Sequence, residues 1–108
     1  SLFASMVKLA FKNARSFCRE PSELLQFMNQ SLSSQLGSYL LTAGYLYINT
    51  AEKTCKYSSC GHPPVLILDR ESGEISTWKP RGRMIGVDPE IFVESFLFEY
   101  DRNLRILF

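Results

Sequence analysis

The stretch LGSYLLTAGYLYINT, residues 36–50, decides the fold, because the hydrophobic period changes inside it. Before Gly37 apolar residues recur every three or four positions, the spacing of a helix with one buried stripe. After it, Tyr, Leu, Ile and Thr crowd together with apolar side chains on both parities, which predicts a strand over residues 39–49 covered on both faces. Gly37 is a suitable helix stop between the two regimes.

Upstream, Leu24, Leu25, Met28, Leu32 and Leu36 share one face of a helix that Pro21 opens, with Ser22 and Glu23 suited to its positive end. Residues 2–17 repeat the pattern through Phe3, Met6, Val7, Ala10, Ala14 and Phe17, while Lys8, Lys12, Arg15 and Arg19 line a different face. Downstream, residues 49–53 make a polar connection into a strand over 54–60, where Cys55 and Tyr57 alternate with Lys56 and Ser58; the pair reads as a hairpin. Residues 65–68 and 75–78 form another hairpin about the polar segment 69–74. Residues 79–89, with two prolines, two glycines and three basic residues, read as a long loop, followed by strands over 91–100 and 104–108. Two helices followed by an antiparallel β-meander predict an α+β fold with both helices packed on one sheet face.

At 108 residues, 45% hydrophobic, 13% aromatic and 21% charged, the chain fits one globular domain. It can bury roughly two thirds of the surface its unfolded form exposes. Its apolar runs are too short to cross a bilayer and no signal-peptide pattern is visible, so no membrane insertion is expected. Twelve Lys and Arg against eleven Asp and Glu create no global field that would draw nucleic acid. Cys18, Cys55 and Cys60 are an odd set without C-x-x-C spacing, which suits free thiols in a reducing, cytoplasmic setting. The chain begins at Ser1 and stops inside the apolar run 104–108, so residues 1–108 are expected to be a single partial domain with both ends truncated.

His62 is the only histidine, set in SSCGHPPVLIL, residues 58–68. Gly61 permits a positive φ or a close backbone approach, and Pro63 and Pro64 remove two backbone donors and fix φ. Gly61, Pro63 and Pro64 therefore define a rigid corner at which the chain must leave a sheet ladder. A histidine in such a turn is more often a surface or capping group than a catalyst. A nucleophilic Cys60–His62 pair has no recognisable oxyanion donor or third group, and two ligands do not close a tetrahedral metal site. Lys79, Arg81 and Arg83 carry charge that suits phosphate but lack the glycine spacing of a phosphate-binding loop, so a solvated flexible loop is the expectation. The stripe Lys8, Lys12, Arg15 and Arg19 reads as the wet side of its helix. The eleven acids, from Glu20 and Glu23 to Glu99 and Asp101, lie mostly in turns or at helix starts without an Asp-Gly or Asp-x-Asp motif, and predict no metal cage.

The order of these landmarks resembles the phosphatase domain of the stage II sporulation protein E family, a bacterial branch of the metal-dependent, 2C-like (PPM) serine/threonine phosphatases. The matching pieces are Ala4-Ser5-Met6 opening a helix, then Pro21-Ser22-Glu23-Leu24-Leu25 with Met28-Asn29. Leu41-Thr42-Ala43-Gly44-Tyr45, the corner Cys60-Gly61-His62-Pro63-Pro64, and Gly82 with Ile85-Gly86-Val87 complete the series. The resemblance covers nearly the whole chain but about the middle half of the family's domain. It implies an α/β/β/α sandwich and hydrolysis of phosphoserine or phosphothreonine, with two Mn2+ or Mg2+ ions activating a water. The aspartates that hold those ions are implied to lie before and after these residues, so no first-shell metal ligand maps onto this chain. His62 stands where eukaryotic-type relatives carry an aspartate near an accessory metal; it is a candidate catalytic residue beside the site, with a structural role as the alternative.

The expected function follows. The parent protein is a cytoplasmic signalling phosphatase acting on a phosphoprotein such as an anti-sigma-factor antagonist, and these residues alone are inactive and self-associate through cut sheet edges. The alternatives are a non-catalytic interaction or dimerisation module, including a pseudophosphatase, and a small ligand-sensing domain with a closed pocket.

Overall fold

The computed structural model describes residues 2–100 and 103–108, so Ser1 and Asp101, named above, lie outside the described residues. The first helix, α1 (Leu2–Asn13), ends before its apolar period does. The Ala14 amide is shared between the Ala10 and Phe11 carbonyls, at 3.1 Å each, the bifurcation by which an α-helix tightens into the 3-10 turn Arg15–Phe17. The chain must then extend, because the residue before a proline is driven from helical angles, and Glu20 accordingly sits at φ −125°, ψ 89°. The second helix, α2 (Pro21–Ser33), starts there with Glu23 in its first turn. It stops short of Leu36: the Gln35 and Leu36 amides both return to the Leu32 carbonyl, at 2.8 and 3.0 Å, and Gly37 at φ +62° turns the chain away. Leu36 is still fully buried with the other four leucine and methionine residues of the stripe.

Six strands follow: β1 (Ala43–Asn49), β2 (Thr54–Cys60), β3 (Val65–Asp69), β4 (Ile75–Trp78), β5 (Ser95–Glu99) and β6 (Leu104–Leu107). The α+β class and the helices-then-strands order hold, as do both hairpins, β1 with β2 and β3 with β4. The strands are shared between two antiparallel sheets, ordered β1-β2-β5 and β4-β3-β6. Residues 91–100 and 104–108, neighbours in sequence, thus supply strands to different sheets. A period of two identifies a strand and its faces but not its partners.

Two strands are shorter than expected for one reason. Leu41, which the sequence placed inside the first strand, instead exchanges both backbone hydrogen bonds with Ile85 at 3.0 and 2.9 Å, and Val93 bridges to Gly82. The long loop therefore takes the backbone groups that would have lengthened β1 and β5.

The layers are bound by two cores. Ala10, Ala14, Leu24, Leu25, Met28, Leu32 and Leu36 meet Cys60, Ile85 and Val93, holding the helices on one face of the first sheet. Tyr57, Val65 and Ile67, with Leu46, Trp78, Leu104 and Ile106 around them, fill the space between the two sheets. Central strand β2 is thus covered on both sides, Cys60 toward the helices and Tyr57 toward the second sheet, and Trp78 meets Phe98 of β5 with ring centroids 3.9 Å apart.

Candidate functional site

The corner between β2 and β3 is where the chain passes from one sheet to the other. Gly61 takes φ +71°, and the two prolines that follow have no amide to offer a ladder. Ser59 locks the turn: its hydroxyl accepts from the His62 amide at 3.0 Å and donates to the His62 carbonyl at 3.4 Å. The ring is held as well, with Nδ1 2.9 Å from the Pro63 carbonyl. A carbonyl can only accept, so Nδ1 is the donor in this contact. Phe108 stands edge-on to the ring, centroids 6.5 Å apart.

Above the corner lies the loop carrying Lys79, Arg81 and Arg83; its three cations are exposed to solvent, but its backbone is not the free segment that the sequence predicted. The Gly61 amide donates to the Gly82 carbonyl at 3.0 Å. The approach is so close that a Cβ on Gly82 would collide with the Ser59 carbonyl oxygen, and one on Gly61 would lie 2.7 Å from Met84 Cγ. Farther along, wholly buried Asn29 of α2 donates from Nδ2 to the Asp88 and Pro89 carbonyls, at 2.7 and 3.0 Å, and accepts from the Gly86 amide at 2.9 Å. Apolar neighbours alone would leave such a group unpaired, and the loop backbone supplies the partners that a buried polar group needs. Ser59, Gly61, His62, Lys79, Arg81 and Arg83 consequently surround one recess of about 270 Å³. The sequence had flagged His62 and the three cations separately. Ser59 and the anchoring role of Asn29 were missed, because their partners lie in carbonyls brought near only by the fold.

Cys60 is not drawn into this recess. Its side chain belongs to the helix-facing core, and burial pushes its thiol up to about 11, far from the thiolate a nucleophile needs. Burial likewise raises the Tyr57 phenol, the Ser59 side chain pulling the other way and Cys60 adding to the rise.

The stage II sporulation protein E (SpoIIE) family model matches residues 1–108, the entire chain, and the chain belongs to that family. Its members are PPM-type phosphatase domains, which generally use Mn2+ or Mg2+. Searches of curated proteins and of solved structures returned no match. The described residues do not themselves fit such a metal: among them no three His, Cys, Asp or Glu side chains converge on a point. Around His62 the charged neighbours are Lys79, Arg81 and Arg83, which repel a divalent cation that would need several oxygen ligands.

Proposed function

We propose that residues 1–108 are the central part of a PPM-type phosphatase domain that removes phosphate from serine or threonine on a bacterial regulatory protein, an anti-sigma-factor antagonist being the kind of substrate meant. The observation that carries this reading is the family match over the whole chain. The helix layer and paired antiparallel sheets accord with it. In this reading the chain supplies the α-layer, parts of both sheets and the Gly61-His62-Pro63-Pro64 corner. Carboxylates from adjoining sequence supply the Mn2+ or Mg2+ site. His62, on that corner, is the candidate catalytic residue near the site, with a structural role as the alternative. A cytoplasmic location belongs to the same proposal; no described helix is long and apolar enough to cross a membrane.

The reading is tested with p-nitrophenyl phosphate and Mn2+. Purified residues 1–108 are expected to give no hydrolysis above the metal blank, and the same chain with its flanking sequence restored is expected to be active. Turnover by the isolated chain would overturn this division of labour. A second reading, a non-catalytic interaction module, is favoured by one feature. An apolar groove of about 500 Å³ runs between α1, α2 and β1, lined by Phe3, Val7, Phe11, Leu24 and Tyr45 among others. Flanking sequence without Asp-Gly motifs would favour that module.

A further inference from the structure

Lys79, Arg81 and Arg83 occupy alternate positions on a strap that the fold holds against the corner. Little neutralises them. Among the described residues, Glu94 is the acid that pairs with one of them: its Oε2 is 3.9 Å from the Arg81 guanidinium, and its Oε1 accepts from the Arg81 amide at 2.8 Å. That guanidinium also lies over the Phe92 ring, 5.8 Å from its centroid, with the side chain still 80% exposed. Lys79 and Arg83 have no ion-pair partner among the described residues. The recess they share with His62 thus carries an excess of about two positive charges, in a concavity where glycine and proline backbone leaves room.

The backbone that carries these cations is held in place. Arg81 exchanges two hydrogen bonds with Glu94, Gly82 receives the Gly61 amide, and Pro80 is buried. Like charges brought near one another repel until a counter-charge enters, and a backbone already held loses no further freedom when it does. A guanidinium fork and an ammonium point charge are together matched to a compact dianion with several acceptor oxygens. A single carboxylate would leave the excess charge half cancelled.

We propose that this recess is a binding site for a tetrahedral oxyanion of the phosphate class, presented as a phosphoryl group on a protein side chain or as free inorganic phosphate. Binding requires no catalysis, so the site stands or falls separately from the phosphatase reading.

The test is a titration of the isotopically labelled chain, followed by backbone amide shifts at constant ionic strength. Three ligands are compared: inorganic phosphate, a phosphoserine peptide and its unphosphorylated counterpart. Saturable shifts confined to Gly61, His62 and residues 79–83 are expected with the first two ligands and not with the third. Equal affinity for phosphate and phosphopeptide identifies the free anion as sufficient; tighter binding of the phosphopeptide identifies a protein-borne group. The double variant Lys79→Ala, Arg83→Ala is expected to weaken binding roughly tenfold. Lys12→Ala, Arg15→Ala, which removes the same charge from the exposed face of the helical layer, is expected to leave it unchanged. Because all four side chains are exposed, both variants should keep the parent's thermal midpoint. Shifts that fail to saturate, that spread equally to Lys8, Lys12, Arg15 and Arg19, or that persist unaltered in the first variant would overturn the proposal.

Discussion

Asn29 is buried completely, yet both ends of its carboxamide are used, two loop carbonyls taking its N–H groups and the Gly86 amide meeting its oxygen. Asn29→Ala is therefore expected to cost about 2–4 kcal/mol in urea unfolding, because it removes three hydrogen bonds to the backbone of the loop as well as opening a gap. Asn29→Asp should be at least as harmful, since its carboxylate would face two carbonyl oxygens. Gly82 and Gly73 separate two effects of adding a methyl group. Gly82→Ala would press against the Ser59 carbonyl and is expected to lose roughly 2–4 kcal/mol, whereas Gly73→Ala, at φ +75° with open space around it, should lose only about 1 kcal/mol. Equal losses in denaturant melts would contradict the close approach at the corner.

Thiol chemistry tests the same scale. Cys18 is exposed, and Cys55 and Cys60 are buried, so one thiol should react quickly with Ellman's reagent in the native chain and three after unfolding. For Cys60 the folded value is about 11 against an ordinary 9.0. Below 9 both states are protonated and the advantage of the folded state is complete; as pH rises toward 11 the unfolded chain releases its proton first and stability falls, by about 2 kcal/mol. Cys60→Ala starts less stable but should show a shallower alkaline decline in denaturant melts over that window.

Among the elements, the helices were the most legible in sequence, because Leu24, Leu25, Met28, Leu32 and Leu36 need only a local period to declare a face, and all five are buried as that period implies. What was not legible depends on distant partners. Leu41 gives its hydrogen bonds to Ile85, and β5 pairs with β2 while β6 pairs with β3; no local pattern encodes such choices. The candidate site divides the same way. The glycine-histidine-proline-proline corner declares its rigidity through φ preferences alone, but its apposition to the basic strap depends on contacts some twenty residues apart in sequence. Strand β2 also carries an imperfection: Tyr57 Oη and Ser58 Oγ are buried without a hydrogen bond of regular geometry among the described residues. Tyr57→Phe is accordingly expected to be neutral or to raise the unfolding free energy slightly, by up to about 1 kcal/mol, whereas losing the ring in Tyr57→Ala should cost about 3–5 kcal/mol.

On the scale of the whole molecule, the radius of gyration is 14.7 Å and the longest axis 46 Å, against about 13 Å expected for a compact domain of 100 residues. The described surface includes Leu9, Phe92, Leu97 and Phe108, each more than half exposed, and both sheets present outer strands at their edges. These features predict association of the isolated chain, seen as a weight-average mass that rises with concentration in sedimentation equilibrium. Leu97→Lys, which places a charge on the outer strand β5, should reduce that rise; a monomer at every concentration would contradict the prediction.

The single tryptophan has a practical consequence. Trp78 lies against Phe98, with its ring centroid 6.4 Å from that of Tyr57, where the two sheets meet, and the helix-side core is a separate cluster. Its fluorescence is thus a natural optical gauge of one seam. Emission should redden when the sheets part and stay constant when α1 alone peels away, so tryptophan signal and helical circular dichroism together can time the opening of each layer separately.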